Sequence, residues 1–533
     1  MKKELLDSFE FAVDNIIKFG DTDVFPFPIE NRMLFDRRSE AINLLTDMYQ
    51  RFDYYVNNVS PQFENMLAPS GYTGFRWATQ IDPIWNAFLL GLVLSISSLI
   101  EDARLSKDKN YVFSYRIQLD TSEKNLFDSN YGWHKFHETS LQLASEGKYG
   151  YVLICDISNF YQSVYHHRIE NALSKLNNPI KEIEKYIKEI LQRFSNMKSY
   201  GLPIGGQASR ILAELVLNRT DRLLYTKEIR FCRFVDDYHI FAKTEEELYS
   251  HLLYLSKIMI ENEGFVLQKS KTRIVSTDEF IQTSPLAHNE SESSKNIFAV
   301  SLKYDPYSLT ANEDYERLKH EIESLDLLTV LSQELNKSRI HTTLIKKIIR
   351  SLQYLEEPAL NNAIQVLTDN IEMLAPVFPN VMILFESVFD KMSYVVKGHL
   401  LNTIRHLVNF SSYVLKIDLN IAYAIRVISK IYSEDNEIVL LKLWGWTDSP
   451  LIRRDIILTM AKWNATHWIS DLKNRYTSLT TWEKRAFIIA SYKLGDEGSH
   501  WRTHFKEQFN EIDIFYRDWI AEKNQILSWE LPI

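Results

Sequence analysis

Three aspartates carry the most chemistry in this sequence. Asp236 and Asp237 are adjacent within Arg233-Phe234-Val235-Asp236-Asp237-Tyr238-His239-Ile240-Phe241, and Asp156 ends the apolar run Tyr151-Val152-Leu153-Ile154-Cys155. Residues 230–235 and 238–242 have the Phe, Val, Ile, Tyr and Cys content of buried strands, so the pattern predicts a β-hairpin with the Asp pair at its exposed tip. The run before Asp156 reads as a buried strand that delivers its carboxylate to the strand end. A bare Asp-Asp between strands is ordinarily just a turn. A second acid on a separate strand changes that reading. Two-metal nucleotidyl transfer needs carboxylates from different strands, because the two ions clamp the attacking and leaving oxygens. Asp156 and Asp236 meet that need, with Asp237 as an auxiliary ligand, and the hard oxygen donors suit Mg²⁺, with Mn²⁺ as the alternative.

The segments around the acids are those that would position them. Phe160 and Tyr161 follow Asp156 closely, and Tyr161 is placed to floor a sugar pocket and exclude a 2′-hydroxyl, although either ring could be core. Tyr200-Gly201-Leu202-Pro203-Ile204-Gly205-Gly206-Gln207-Ala208-Ser209-Arg210 gives a backbone that a nucleic-acid strand or base can approach closely. Ser209 is placed to cap the apolar helix that follows. A mixed helix over 244–263 ends at Gly264, and Lys269-Ser270-Lys271-Thr272 comes next, with Lys271 able to face a triphosphate.

The order of these segments resembles the A, B and C motifs of reverse transcriptases, matched here by Asp156, Gly201 to Arg210, and Phe234 to Asp237. Gly20-Asp21-Thr22-Asp23-Val24-Phe25-Pro26-Phe27-Pro28, Val112-Phe113-Ser114-Tyr115-Arg116 and the wording of the Gly201 loop look like the abortive-infection (Abi) reverse transcriptases, AbiK-type branch. That resemblance implies an α+β fold: fingers and palm, an antiparallel sheet with packed helices, then an all-α HEAT-like helical domain in place of a thumb. The implied divisions are 1–150 for the N-terminal region and fingers, 151–300 for the palm and 301–533 for the helical domain. It further implies a dNTP site formed by Arg116, Ile157, Tyr161, Gly205, Gln207 and Lys271, with Arg104 as a second fingers cation.

Composition sets outer limits. At 533 residues, 45% hydrophobic and 13% aromatic, the chain should fold as two or three domains packed without a low-complexity linker. With 61 basic against 70 acidic residues, a net charge of −9, it is not a protein that coats nucleic acid nonspecifically. Cys155 and Cys232 both lie in predicted strands and have no metal-ligand spacing, which fits a reducing compartment. Residues 87–100 form the longest apolar run, too short for a membrane span and expected as a buried helix of the fingers. Met1-Lys2-Lys3-Glu4-Leu5-Leu6-Asp7 lacks a signal-peptide core, so a cytoplasmic location and no membrane partner are expected, in a bacterium as the family resemblance implies.

Beyond residue 300 the period becomes helical: Ile421, Ile425, Ile428 and Tyr432 share one face, and Leu344, Ile348 and Leu352 another. Trp444, Trp446, Trp463, Trp468, Trp482 and Trp501 are expected as core anchors. The family resemblance implies a polymerase that makes DNA from dNTPs without a template, primed from a protein tyrosine, in anti-phage abortive infection. The DNA product would stay covalently attached, and the chain would form a homo-oligomer, a trimer or hexamer. No spacing selects the priming residue among the 28 tyrosines; Tyr49, Tyr54, Tyr55 and those of the helical domain all stay open. A retron-like, RNA-templated enzyme would use the same three acids, and a non-catalytic scaffold would be expected to have lost one.

Overall fold

A four-stranded antiparallel sheet forms the centre of the N-terminal half. In the computed structural model, residues 3–176, 181–286, 322, 327–337, 339–526 and 528–533 are described. A two-stranded ribbon, β1 (Phe63–Pro69) with β2 (Phe75–Ile81), precedes it. The central sheet has the order β4 (Arg230–Phe234), β5 (Asp237–Ala242), β3 (Tyr151–Asp156) and β6 (Arg273–Ser276). Strand alternation explains how both faces are covered. Val152, Cys232 and Phe241 point into one small core with Phe113, Phe136 and Phe280. Their neighbours Leu153, Phe231 and Ile240 point into the large core on the other side, with Leu212 and Leu255. Both cysteines are free and buried in these strands.

The apolar run at 87–100 is one buried helix only as far as Leu94. Pro83–Leu94 is buried along its whole length, starts on an Asp82 side chain that accepts from the Ile84 N–H, and has proline at its first position. A break at Ser95 and Ile96 turns the chain by 53° into the next helix, Ser97–Ala103. Among the described residues no single helix is long and apolar enough to cross a membrane.

From Leu327 onward the chain is helical, and its helices stack in two rows. Thr342–Leu352 packs on Phe378–Val388, then in succession come Asp418–Ile428, Pro450–Lys462, Thr481–Ala490 and Glu511–Lys523. Ala359–Asp369, Tyr394–Asn409 and Glu434–Trp446 form the second row. The stack closes back on the N-terminal region through buried polar anchors: Tyr516 donates to Glu30 at 2.5 Å, Trp519 to Asp36 at 2.8 Å, and Arg485 pairs with Asp82. Most buried residues after 456 share the large core with the N-terminal helices, whereas those of 327–456, joined by Met460, Ala465 and Trp482, build a second core that takes in Val24, Phe25 and Met66. The division expected between 300 and 301 lies outside the described residues. Ile421, Ile425 and Ile428 are buried as the period predicts, but the helix ends at Ile428, so Tyr432 lies beyond it and is exposed. Trp482 and Trp501 are buried; Trp446 is the departure, an exposed ring with Lys416 and Lys442 over it.

Candidate active site

The pairing register brings the three acids together. Asp156, the last residue of β3, stands opposite Asp237, the first of β5, and the Ile157 N–H donates to the Asp236 carbonyl at 3.1 Å. The hairpin tip is less exposed than its sequence suggests: Asp156 is buried and Asp236 and Asp237 are half-buried. Burial, then repulsion from Asp156, pushes the Asp236 carboxyl up to about 6. Burial, then repulsion from Asp236 and Asp156, pushes Asp237 up to about 7. Like charges packed at one sheet end disfavour simultaneous ionisation. The nearest compensation is Lys271, whose Nζ donates to Asp156 Oδ2 at 2.7 Å.

The tip is held by a buried arginine. Arg233, fully enclosed, makes paired bonds to Asp221 (Nε–Oδ1 2.8 Å, Nη2–Oδ2 2.6 Å) and to Glu214 (Nη2–Oε2 2.9 Å). Its Nη1 also donates to the Val235 carbonyl at 2.9 Å. That bond matters because Val235 has φ 55°, a left-handed conformation that a β-branched residue adopts only when its surroundings enforce it. Arg104 joins the network through Glu214 at 2.6 Å, and Ser114 through the other Glu214 oxygen at 2.6 Å. Sequence reading missed Glu214 and Asp221. The available signal was their seven-residue spacing on one helix, which puts two acids on the same face among the apolar residues from Ile211 to Leu224.

The remaining expected residues are dispersed around this centre. Tyr161 is half-buried, its hydroxyl held well above the usual range first by burial and then by Tyr115, and its carbonyl accepts from the Leu202 N–H. Gly205 has φ +125°, and a Cβ there would lie 2.4 Å from Thr22 Oγ1, so the loop needs glycine where the N-terminal segment crosses it. Gln207 accepts from Arg210 at 3.0 Å, and Arg210 reaches Asp23 at 2.5 Å. Ile157 is buried, with only its backbone bond to Asp236 contributing to the site. Ser209 does not cap: the helix Gln207–Thr226 begins two residues earlier, after Gly206, and Ser209 is buried in its first turn. Arg116 also departs from expectation. Its side chain is 2% exposed and is taken up by Glu101 at 2.5 Å and the Leu105 carbonyl at 2.9 Å. So enclosed, the guanidinium ties its segment to Glu101 on the helix Ser97–Ala103. Arg104 is enclosed in the same way.

The donor chemistry fits a hard divalent cation: carboxylate oxygens, mutually repelling and short of positive charge. Among the described residues no group of three or more His, Cys, Asp or Glu is placed to hold a metal ion, and Asp156 is engaged with Lys271.

Residues 103–303 match the family model described as "Reverse transcriptase (RNA-dependent DNA polymerase)". The chain carries a reverse transcriptase-type polymerase domain. This reverse transcriptase domain takes in all three aspartates, the Gly201 loop and Lys271, and leaves the helical stack from Leu327 onward outside. Among solved structures the chain is similar to telomerase from Candida albicans bound to a telomeric RNA fragment, at 11% identity over 75% of this chain and 70% of that one, TM-score 0.28. Apo telomerase from Candida tropicalis is similar at 11% identity over 78% and 70%, TM-score 0.31. The RNA-fragment complex of the Candida tropicalis enzyme is similar at 13% identity over 76% and 68%, TM-score 0.29. No curated protein matches the chain.

Proposed function

We propose that this chain is a DNA polymerase that joins deoxynucleotides at Asp156, Asp236 and Asp237, without a template and from a tyrosine of its own. The observation that carries the polymerase reading is the register of β3 against β5, which sets Asp156 opposite Asp237 beside Asp236 within the reverse transcriptase domain. Asp156 and Asp236 would hold Mg²⁺ or Mn²⁺, with Asp237 beside them. Bound there, the ions would acidify the attacking hydroxyl and stabilise the departing pyrophosphate. The protein's own part is to keep the carboxylates converged through Arg233, and to neutralise Asp156 with Lys271 until substrate arrives. Tyr161, Gly205 and Gln207 border the same loop and helix start and would shape the deoxynucleotide pocket.

Support for untemplated, protein-primed synthesis comes from the net charge of −9 and from the helical stack. Its two-row packing suits a HEAT-like domain, and its last helices fold back onto the N-terminal region. A long basic track for a template–primer duplex would be costly to build in such an acidic chain. The accompanying proposals are that DNA remains on the protein, that the chain works as a trimer or hexamer in a bacterial cytoplasm, and that the activity serves abortive infection by phage. The test is purified protein with Mg²⁺ and labelled deoxynucleotides, no nucleic acid added, run on a denaturing gel before and after protease. Label should migrate with the protein and be released by protease; label that never co-migrates would end the self-priming reading. The family description, RNA-dependent DNA polymerase, favours a second reading, RNA-templated synthesis, and incorporation only after RNA is added would establish it.

A further inference from the structure

A cleft of about 350 Å³ lies between the helices His166–Leu173 and Gln207–Thr226 and shares no residue with the aspartate centre. Its rim is basic. Lys175, Arg219 and Arg222 are exposed there, and among the described residues none of them has a carboxylate at salt-bridge distance. In a chain with more acids than bases, three cations without a carboxylate partner, two on one helix and one in the turn after another, are poorly explained as a solvated face. Arg219 and Arg222 sit on one side of their helix because they are three residues apart, and Leu215 and Asn218 continue that side inward.

The depth of the cleft has the opposite polarity. Glu263 lines it at 2% exposure, its Oε1 without a partner, while Oε2 lies 4.0 Å from Arg168. Burial pushes this carboxyl up to about 7, against the pull of Arg168, Arg219 and Lys175. Asn218 donates from Nδ2 to the Ala103 carbonyl at 2.8 Å and leaves its buried Oδ1 unpaired. Two acceptors without donors therefore stand inside, between the apolar walls of Leu176, Leu215 and Leu223. Buried acceptors of this kind are costly unless something donates to them.

We infer that this cleft is a second ligand site, one that binds a nucleoside polyphosphate with its base inward and its phosphates outward. The phosphates meet Lys175, Arg219 and Arg222 as charge-assisted hydrogen bonds. A flat base fits between the leucines, and its amino or imino N–H groups satisfy Glu263 and Asn218. The pattern selects bases that carry an exocyclic amine over thymine, which presents acceptors on either side of its single N–H. It also selects free nucleotides over a polynucleotide strand, because the acceptors lie beyond the basic rim and a strand would lay its backbone across it.

The test uses the full-length chain carrying Asp236→Asn, in EDTA, so that neither catalysis nor divalent metal contributes and the result is independent of the polymerase reading. Equilibrium dialysis with dGTP, dATP, dTTP and inorganic triphosphate should give one saturable site per chain, with the amino-bearing nucleotides bound most tightly. Arg219→Glu with Arg222→Glu, both exposed and so expected to fold, should weaken every ligand by roughly tenfold or more. Glu263→Gln should erase the preference for dGTP over dTTP while leaving inorganic triphosphate unaffected. Thermal melting checks that each variant is folded; if Glu263→Gln is not, the arginine pair alone decides. Inorganic triphosphate binding as tightly as dGTP would overturn the inference, as would binding only of a single-stranded oligonucleotide, or affinity untouched by the arginine changes.

Discussion

Two clusters of buried charge stand back to back on the same hairpin, and they are built on opposite principles. Around Arg233 every charge is answered: two carboxylates, Glu214 and Asp221, close on one guanidinium, with Arg104 and Ser114 completing the shell. Around Asp236, the residue next to Val235, three carboxylates meet a single, largely exposed lysine. The first cluster fixes a conformation; the second leaves negative potential unspent at a place where cations and substrate can arrive. Positional strain and electrostatic tension collect where chemistry is expected, and the neighbouring salt-bridge network holds them in place.

The largest effect should come from emptying the acidic cluster. Asp236→Ala should lower nucleotide incorporation by roughly a thousandfold or more, since several kcal/mol of transition-state stabilisation depend on the clamp. Single-turnover assays on the folded variant check this, and near-normal incorporation would remove Asp236 from the site. Emptying the compensated cluster should instead strike stability: Arg233→Met strands Glu214 and Asp221 and should cost about 3–5 kcal/mol, read from denaturant midpoints. If both variants lost activity and stability alike, the contrast between the clusters would fail.

A finer separation uses pH. Asp237 has an ordinary value of 3.8 and is raised to about 7 in the folded chain, so folding takes up a proton in between. Its stabilising contribution is complete below about 3.8 and is lost as pH rises through 7, leaving a net cost above it. Asp237→Asn should therefore raise stability by about 1–3 kcal/mol at pH 8 and by almost nothing near pH 4. Melting curves at the two pH values measure the difference, and an equal gain at both would exclude charge repulsion as its source. Because the metal-binding forms are ionised, incorporation should fall as pH drops through 7 and 6. Lys271→Met, the mildest change, should move that acid limb to higher pH, because Lys271 lowers both Asp236 and Asp237; an unmoved limb would show that the lysine does not act on the pair.

The parts of this site that were legible were those that a local period expresses. A continuous apolar run announced β3 and strand-rich composition announced β4 and β5, with the aspartates at the ends of those strands. What was not legible depended on partners far away in the chain. Arg116 looked free because nothing local reveals Glu101, fifteen residues earlier, closing on it. Ser209 looked like a cap because its residue type favours that position, whereas the helix starts two residues earlier, after Gly206. Arg233 stood in the opening motif without a role, since Glu214 and Asp221 lie on another element.

The sequence by itself determined β3, β4 and β5, the helical second half, the three acids and their chain order, because composition, helix period and residue chemistry are local properties. Only the tertiary structure decided that Asp156 faces Asp237 across a register, that Val235 is forced into a left-handed turn by Arg233, and that the last helices close on the first. Those depend on which charges lose water together, and burial is a property of the assembled fold rather than of any segment.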